Sequence, residues 1–423
     1  MENKLNKDFS LKDRGYSNYE DTTDLPRHRW YYYKEGFSPN LVAKAIEQAN
    51  VTKDDLVIDP FNGSGTTTLS SALLGYNSVG IEVNPFTSFL SASKVKNAEI
   101  NDIDKLEEGL LMSIQKGARS PLLGFSTFSK NDGLDKWLFN DSVLNSFEGG
   151  WQFTDSISSY NIRKLIRLAL ISSAMQNCNA KRDGKCLRYR DSWVNNKYDE
   201  NSFAEALLRN LSNIKIDIQN TPVEVKSKIL TGDCRSILQS SKEVNNFKLC
   251  ITSPPYLNTF DYTDIYRPEL YLGKFITNAQ NLYDLRLETV RSHIQAKWEQ
   301  PTQTGFGLLY QQTMKHILEN KDKLMHKNIP LMIQAYFEDM QNILRLLKNK
   351  VAKNGEVWFV VSNSAYADME IPVDLIIGDI ASRCGWYLKE IGVLRYVKKR
   401  KTKYSPNITE LRESVIILSN QRF

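Results

Sequence analysis

Short apolar runs of strand length alternate along the chain with longer stretches whose apolar residues recur every three to four positions. Strands are predicted at 56–58, 78–83, 228–233, 247–251, 356–361, 386–396 and 413–418. Helices are predicted at 41–50, 66–74, 103–116, 162–176, 203–218, 339–347 and 371–382. Ser38 stands where the first of those helices needs a cap, and Lys353-Asn354-Gly355 reads as a stop after the helix at 339–347. Strand and helix in alternation build an α/β fold with a mostly parallel sheet covered by helices.

The alternation breaks once. After the strand at 78–83 the next comes only at 228–233, so 97–225 is a helical insertion, and 25–96 with 226–423 form the sheet domain. Residues 1–24 are polar and weakly periodic, which predicts a flexible or loosely packed lead-in. No run approaches eighteen consecutive apolar residues, and the polar start lacks a secretory apolar core, so a cytoplasmic protein without a membrane span is expected. At 423 residues and 41% hydrophobic, the chain can bury a full α/β core and still build a smaller second unit. The net charge of +6 is compatible with a nucleic-acid partner without requiring one. Five cysteines form no C-x-x-C pair and only four histidines accompany them, so reduced thiols are expected and no metal site.

The chemistry lies where strands end. After 56–58 comes Asp59-Pro60-Phe61-Asn62-Gly63-Ser64-Gly65-Thr66-Thr67. Gly63 and Gly65 remove side chains that would keep a ligand from the turn, and the helix beginning near Thr66 offers unpaired N–H groups to a carboxylate. The Lys of a phosphate loop is absent. Glu82, about twenty positions on at the tip of the next strand, is placed to accept both hydroxyls of a ribose. The strand at 247–251 stops at Ser253-Pro254-Pro255-Tyr256. Prolines hold φ near −65° and donate no backbone hydrogen bond, so this turn is rigid and rich in acceptors. It suits a planar ring with an exocyclic amine: Ser253 and the Pro254 carbonyl accept the amine protons while the ring stacks on Tyr256.

The two strings resemble motifs I and IV of the amino-methylating DNA methyltransferases, the cytosine-N(4)/adenine-N(6) family. The resemblance implies a Rossmann-like S-adenosylmethionine-dependent methyltransferase fold with a mostly parallel seven-stranded sheet and a helical insertion. It implies S-adenosylmethionine held by Asp59, Pro60, Phe61, Gly63, Gly65, Thr66 and Thr67, by Glu82 and Asn84 in the place of motif II, and by Asp233 in that of motif III. The aromatic segment 26–39 resembles motif X, which gives Lys34 and Phe37 contacts at the methionine end; it reads equally as an anchor for an N-terminal arm. Ser253, Pro254, Pro255 and Tyr256 would be catalytic, with no covalent intermediate and no cysteine nucleophile.

Ser-Pro-Pro-Tyr is most typical of cytosine-N(4) enzymes, although in those the catalytic motif most often precedes the cofactor motif, the reverse of the order here. The implied activity is methylation of cytosine N(4) in duplex DNA, within a restriction-modification or related system in which a cognate restriction endonuclease would be a partner. Adenine-N(6) methylation, RNA amino-methylation and a catalytically silent DNA-binding protein of the same fold remain alternatives. The insertion is the candidate recognition region. Basic residues interleaved with aromatics make Arg188 and Arg190 candidates for phosphate contact, as are Lys399 and Arg400 in the run 398–403 and the cluster Arg286, Arg291, His293 and Lys297 within 275–330.

Overall fold

The computed structural model describes residues 4–9, 16, 20–183, 186–191, 193–399 and 402–422. After β1 (Leu5–Asn6), helix α1 (Pro39–Gln48) opens behind Ser38, whose hydroxyl accepts from Asn40 N. Then β2 (Leu56–Asp59), α2 (Thr66–Leu73), β3 (Asn77–Glu82) and α3 (Pro85–Lys94) alternate. The insertion supplies α4 (Ile100–Lys116), α5 (Asp141–Asp155), α6 (Tyr160–Gln176), an antiparallel hairpin of β4 (Ala180–Asp183) and β5 (Cys186–Tyr189), and α7 (Glu200–Asn220). The sheet resumes with β6 (Ser227–Thr231), α8 (Cys234–Ser240) and β7 (Phe247–Thr252). Four helices follow, α9 (Tyr262–Ile265), α10 (Arg267–Leu272), α11 (Ala279–Glu288) and α12 (Leu308–Glu319), before α13 (Ile329–Lys348) and β8 (Val351–Ser362). The small hairpin β9 (Ser364–Tyr366) and β10 (Met369–Ile371), α14 (Val373–Arg383), β11 (Tyr387–Lys398) and β12 (Glu410–Ser419) complete the chain.

The main sheet has the order β1-β11-β12-β8-β7-β2-β3-β6. The run from β8 to β6 is parallel, and β12 is antiparallel to both β8 and β11. All seven predicted strands are in it. The eighth, β1, pairs parallel with β11 at the edge and was hidden by its length of two residues. The stretch expected to be a loose lead-in is in part packed: Phe9 and Tyr16 are buried together, and Phe9 meets the edge of Trp358 at 6.1 Å. Lys353-Asn354-Gly355 is no helix stop; the three residues lie inside β8, and the helix ends at Lys348.

Four helices and the β4–β5 hairpin make up the insertion, and they share one core with α3 and α10. The sequence pattern missed α5 because Gly149-Gly150 lowers its helix propensity. Close packing explains the glycines: a Cβ on Gly149 would lie 2.3 Å from Ser113 O, and one on Gly150 2.8 Å from Leu170. The insertion is tied to the N-terminal arm by Asp217 of α7, which accepts from Arg27 N at 2.8 Å, Trp30 Nε1 at 2.8 Å and the Arg29 guanidinium at 2.6 Å. Asp217→Ala strands a buried amide and a buried indole N–H. We expect it to cost about 2 kcal/mol in urea unfolding, and a change near zero would show that the arm is not held there.

Candidate active site

The parallel strands β7, β2, β3 and β6 end on the same side of the sheet. The chain leaves β2 toward β3 and β6 and returns to β7 on the other flank, so a crevice opens at this switch point. A cavity of about 370 Å³ fills it, a size within the usual range for ligand sites. Its walls are Asp59 to Ser64 and Thr66 after β2, Glu82 and Asn84 after β3, Asp233 after β6, and Ser253 to Tyr256 after β7. Tyr33 to Phe37 of the arm contribute a further wall, and Phe260, Tyr262 and Tyr266 another.

The turn after β2 is held by side chains on both sides. Asp59 accepts from Phe61 N at 2.9 Å and from Thr252 Oγ1 at 2.5 Å, which joins the tips of β2 and β7. Gly63 (φ 49°) and Gly65 (φ 88°) occupy left-handed backbone, and a Cβ on Gly65 would lie 2.8 Å from Ser91 of α3. Two predicted ligand residues have contacts within the fold. Gly65 is the point where α2 and α3 approach, and Thr67 donates to Ile251 O at 3.1 Å; neither lines the cavity. Glu82 accepts from Gly63 N at 2.7 Å and Asn84 N at 2.9 Å, so one acceptor position on each oxygen braces the turn.

Burial pushes the Asp59 carboxyl from 3.8 up to about 6, and it raises Glu82 as well. A raised carboxyl means that the folded state binds the proton more tightly than the unfolded chain. Its contribution is complete below pH 3.8 and is lost as pH climbs through about 6, amounting to about 3 kcal/mol at most. Urea titrations of the ligand-free protein at pH 4 to 7 should therefore show a falling component that Asp59→Asn removes. An identical slope in the variant would contradict this assignment.

Lys34, Phe37 and Asp233 line the cavity, and two of them are also engaged elsewhere. Lys34 Nζ donates to Arg182 O at 3.1 Å, and Asp233 accepts from Arg235 Nε at 2.9 Å while capping α8. On the far wall, Ser253 Oγ donates to the Tyr256 hydroxyl at 3.5 Å, and Tyr256 donates to Glu413 Oε1 at 2.5 Å. Arg395 Nε donates to Glu413 Oε2 at 2.6 Å. Burial first, then Glu413, holds the Tyr256 phenol well above its ordinary pKa, so it keeps its proton.

Sequence reasoning missed Glu413 and Arg395. They come from the last two strands, 157 residues beyond Tyr256 in the case of Glu413, and nothing in their local pattern distinguishes them from strand-surface charges. Tyr266, in the stretch 261–270 whose sequence is similar to a motif V region, stacks on Tyr33 with ring centroids 5.2 Å apart and donates to Glu35.

Most of the candidate DNA contacts are engaged within the chain, and of those described only His293 lines the cavity. Arg188 pairs with Asp183 and Asp191, each at 3.2 Å. Arg190 donates to Cys178 O, and Lys399 to Ser405 O; Arg400 lies outside the described residues. Arg286 is paired with Asp261, and Arg291 with Glu338 and Asp339. His293 is buried, which lowers its pKa, and it lines the cavity. Among the described residues, no helix is long and apolar enough to cross a membrane, and no group of three His, Cys, Asp or Glu side chains could hold a metal ion.

Residues 2–90 match a family model of the N6/N4 group, described as DNA methylase. The chain is similar to the type II methyltransferase M.BsoBI of Geobacillus stearothermophilus, with 28% identity covering 96% of this chain and 88% of that one. It is similar also to the type II methyltransferase M.AvaI of Nostoc sp., with 26% identity over 89% and 82% of the two chains. The chain also matches a structure of an rRNA methyltransferase from Streptomyces viridochromogenes over 91% of its length and 85% of that chain, at 10% identity and a TM-score of 0.29.

Proposed function

We propose that the protein is an S-adenosylmethionine-dependent DNA methyltransferase that transfers a methyl group to the exocyclic N(4) of cytosine in duplex DNA. One observation carries the reading: Ser253 and Tyr256 at the tip of β7 open into the same cavity as Asp59, Gly63, Glu82 and Asp233 at the tips of β2, β3 and β6. The similarity to type II methyltransferases over nearly the whole chain, and of residues 2–90 to DNA methylases, supports the reaction class. The Ser-Pro-Pro-Tyr form of the turn favours cytosine over adenine.

The residues fit the cofactor. Asp59, Glu82 and Asp233 supply acceptors for hydroxyl and amine groups, and the buried Asn84 Nδ2 has no partner within the protein. A Cβ on Gly63 would come within 3.2 Å of the Tyr33 hydroxyl and take up cavity space. Lys34 and Phe37 would close the methionine end. When bound, S-adenosylmethionine offers its methyl group on a sulfonium.

The chain's own residues then do the positioning. A base stacked in a duplex cannot reach Ser253, so it is extruded at about a few kcal/mol, offset in part by stacking on Tyr256. Ser253 Oγ and the Pro254 carbonyl accept its amine protons, and Pro255 has no N–H to compete. An arylamine lone pair is conjugated with its ring; those two hydrogen bonds favour a tetrahedral nitrogen whose lone pair is free to attack. Catalysis is thus positioning and electrostatics. The insertion 97–225 is proposed as the recognition region, with Arg188, Arg190 and Lys399 exchanging their internal partners for phosphates, and a cognate endonuclease as the partner in the cell.

The test is incubation with tritiated S-adenosylmethionine and mixed-sequence duplex DNA, followed by digestion to nucleosides. Label in N(4)-methylcytosine is expected. Label in N(6)-methyladenine would move the substrate, and no label in DNA would overturn the DNA reading and turn the search to RNA.

A further inference from the structure

The hydrogen-bond chain behind Ser253 has a direction, and its far end sets that direction. Both oxygens of Glu413 accept, Oε1 from Tyr256 at 2.5 Å and Oε2 from Arg395 Nε at 2.6 Å. Glu413 is 4% exposed, so its carboxylate is largely withdrawn from solvent. A hydroxyl has one proton to donate. Tyr256 keeps its proton and directs it to Glu413 in a hydrogen bond, so toward Ser253 Oγ, 3.5 Å away, it can only accept. Ser253 is then left with lone pairs for a ligand, and the adjoining Pro254 and Pro255 have no N–H to add.

We propose that Glu413 is a specificity-determining positioning residue: through Tyr256 it holds Ser253 as an acceptor, so the site admits a base presenting an amine and rejects one presenting a keto oxygen at the same place. The inference rests on the reading of Ser253 as the group that meets the exocyclic amine. An amine N–H completes the chain. A keto oxygen sets lone pair against lone pair and leaves both groups unpartnered, a loss comparable to contacting the wrong base edge.

Glu413→Gln is a sharp probe because of Arg395. Arg395 Nε can only donate, so it retains the amide oxygen and turns the amide N–H toward Tyr256. Tyr256 then donates to Ser253, and Ser253 presents its proton to the ligand. The polarity reverses with almost no change in side-chain size.

The experiment measures the affinity of the full-length protein, without cofactor, for two duplexes. One carries the nucleotide found to be methylated, and the other its keto counterpart, uracil for cytosine or hypoxanthine for adenine. The altered pairing eases extrusion equally for every variant, so the affinity ratio is compared between proteins. Glu413→Gln is expected to shift that ratio about tenfold toward the keto duplex. Tyr256→Phe, which cuts the chain and frees the Ser253 proton, should shift it the same way, and Arg395→Met, which keeps the carboxylate, should leave it within about twofold. An unmoved ratio in both Glu413→Gln and Tyr256→Phe, or an equal shift in Arg395→Met, overturns the role of Glu413 while methylation by the wild-type protein leaves the proposed function standing. Absence of any methylated nucleoside overturns that function and this inference with it.

Discussion

Ser253→Ala is expected to lower turnover about 10- to 150-fold while leaving the dissociation constant for S-adenosylmethionine within about twofold. As the methyl group arrives, the amine nitrogen gains positive charge, and its bond to Ser253 Oγ becomes charge-assisted. Such a bond contributes about 1.5–3 kcal/mol, which is the stated range in rate. The cofactor should not register the change, because its proposed contacts come from β2, β3, β6 and the arm, and Asp59 is joined to β7 through Thr252 and not through Ser253. Single-turnover kinetics and cofactor titration separate the two quantities. A variant that loses cofactor affinity and keeps its rate would assign Ser253 to the wrong half of the site. Cofactor-side substitutions should give the opposite split.

The proposed division of labour is legible along the chain where its groups share one uninterrupted string. Asp59 to Thr66 and Ser253 to Tyr256 each combine a strand end, a conformationally constrained turn and its functional groups, so local rules suffice to find them. The rules could not say which residues of a string face inward. Gly65 and Thr67 share the turn with Gly63 and Thr66, yet one allows α2 to approach α3 and the other stitches α2 to Ile251. Residues that reach the site from distant strands had no such string. Glu413 and Arg395 become meaningful only when β11 and β12 fold back beside β8. For the same reason β1 was invisible: two residues carry no period, and its pairing with β11 is a tertiary fact.

The basic segment at 181–190 shows the strongest divergence between charge pattern and placement, and it yields the largest expected effect on stability. Its arginines look alike in sequence, but Arg182 enters the interior. Its guanidinium pairs with Glu269 of α10, donates to the Tyr31 hydroxyl at 3.1 Å and lies 4.3 Å from the centre of the Tyr266 ring. Glu269 is fully buried, and its Oε2 has no hydrogen-bond partner. Arg182→Met keeps much of the apolar volume but leaves that carboxylate without its countercharge. Removing one member of a buried pair costs about 3–5 kcal/mol, and we expect about 4 kcal/mol in urea unfolding of Arg182→Met. The cause is the orphaned charge and not the lost contact, so Arg182→Met combined with Glu269→Leu should recover most of the loss. If the single variant unfolds within about 1 kcal/mol of wild type, or the double variant is worse than the single, the pair does not govern this junction. The consequence for function follows from position. Arg182 covers the face of Tyr266, Tyr266 stacks on Tyr33, and both tyrosines line the cavity. The hairpin that carries the charge pattern thus supports the wall of the site from behind.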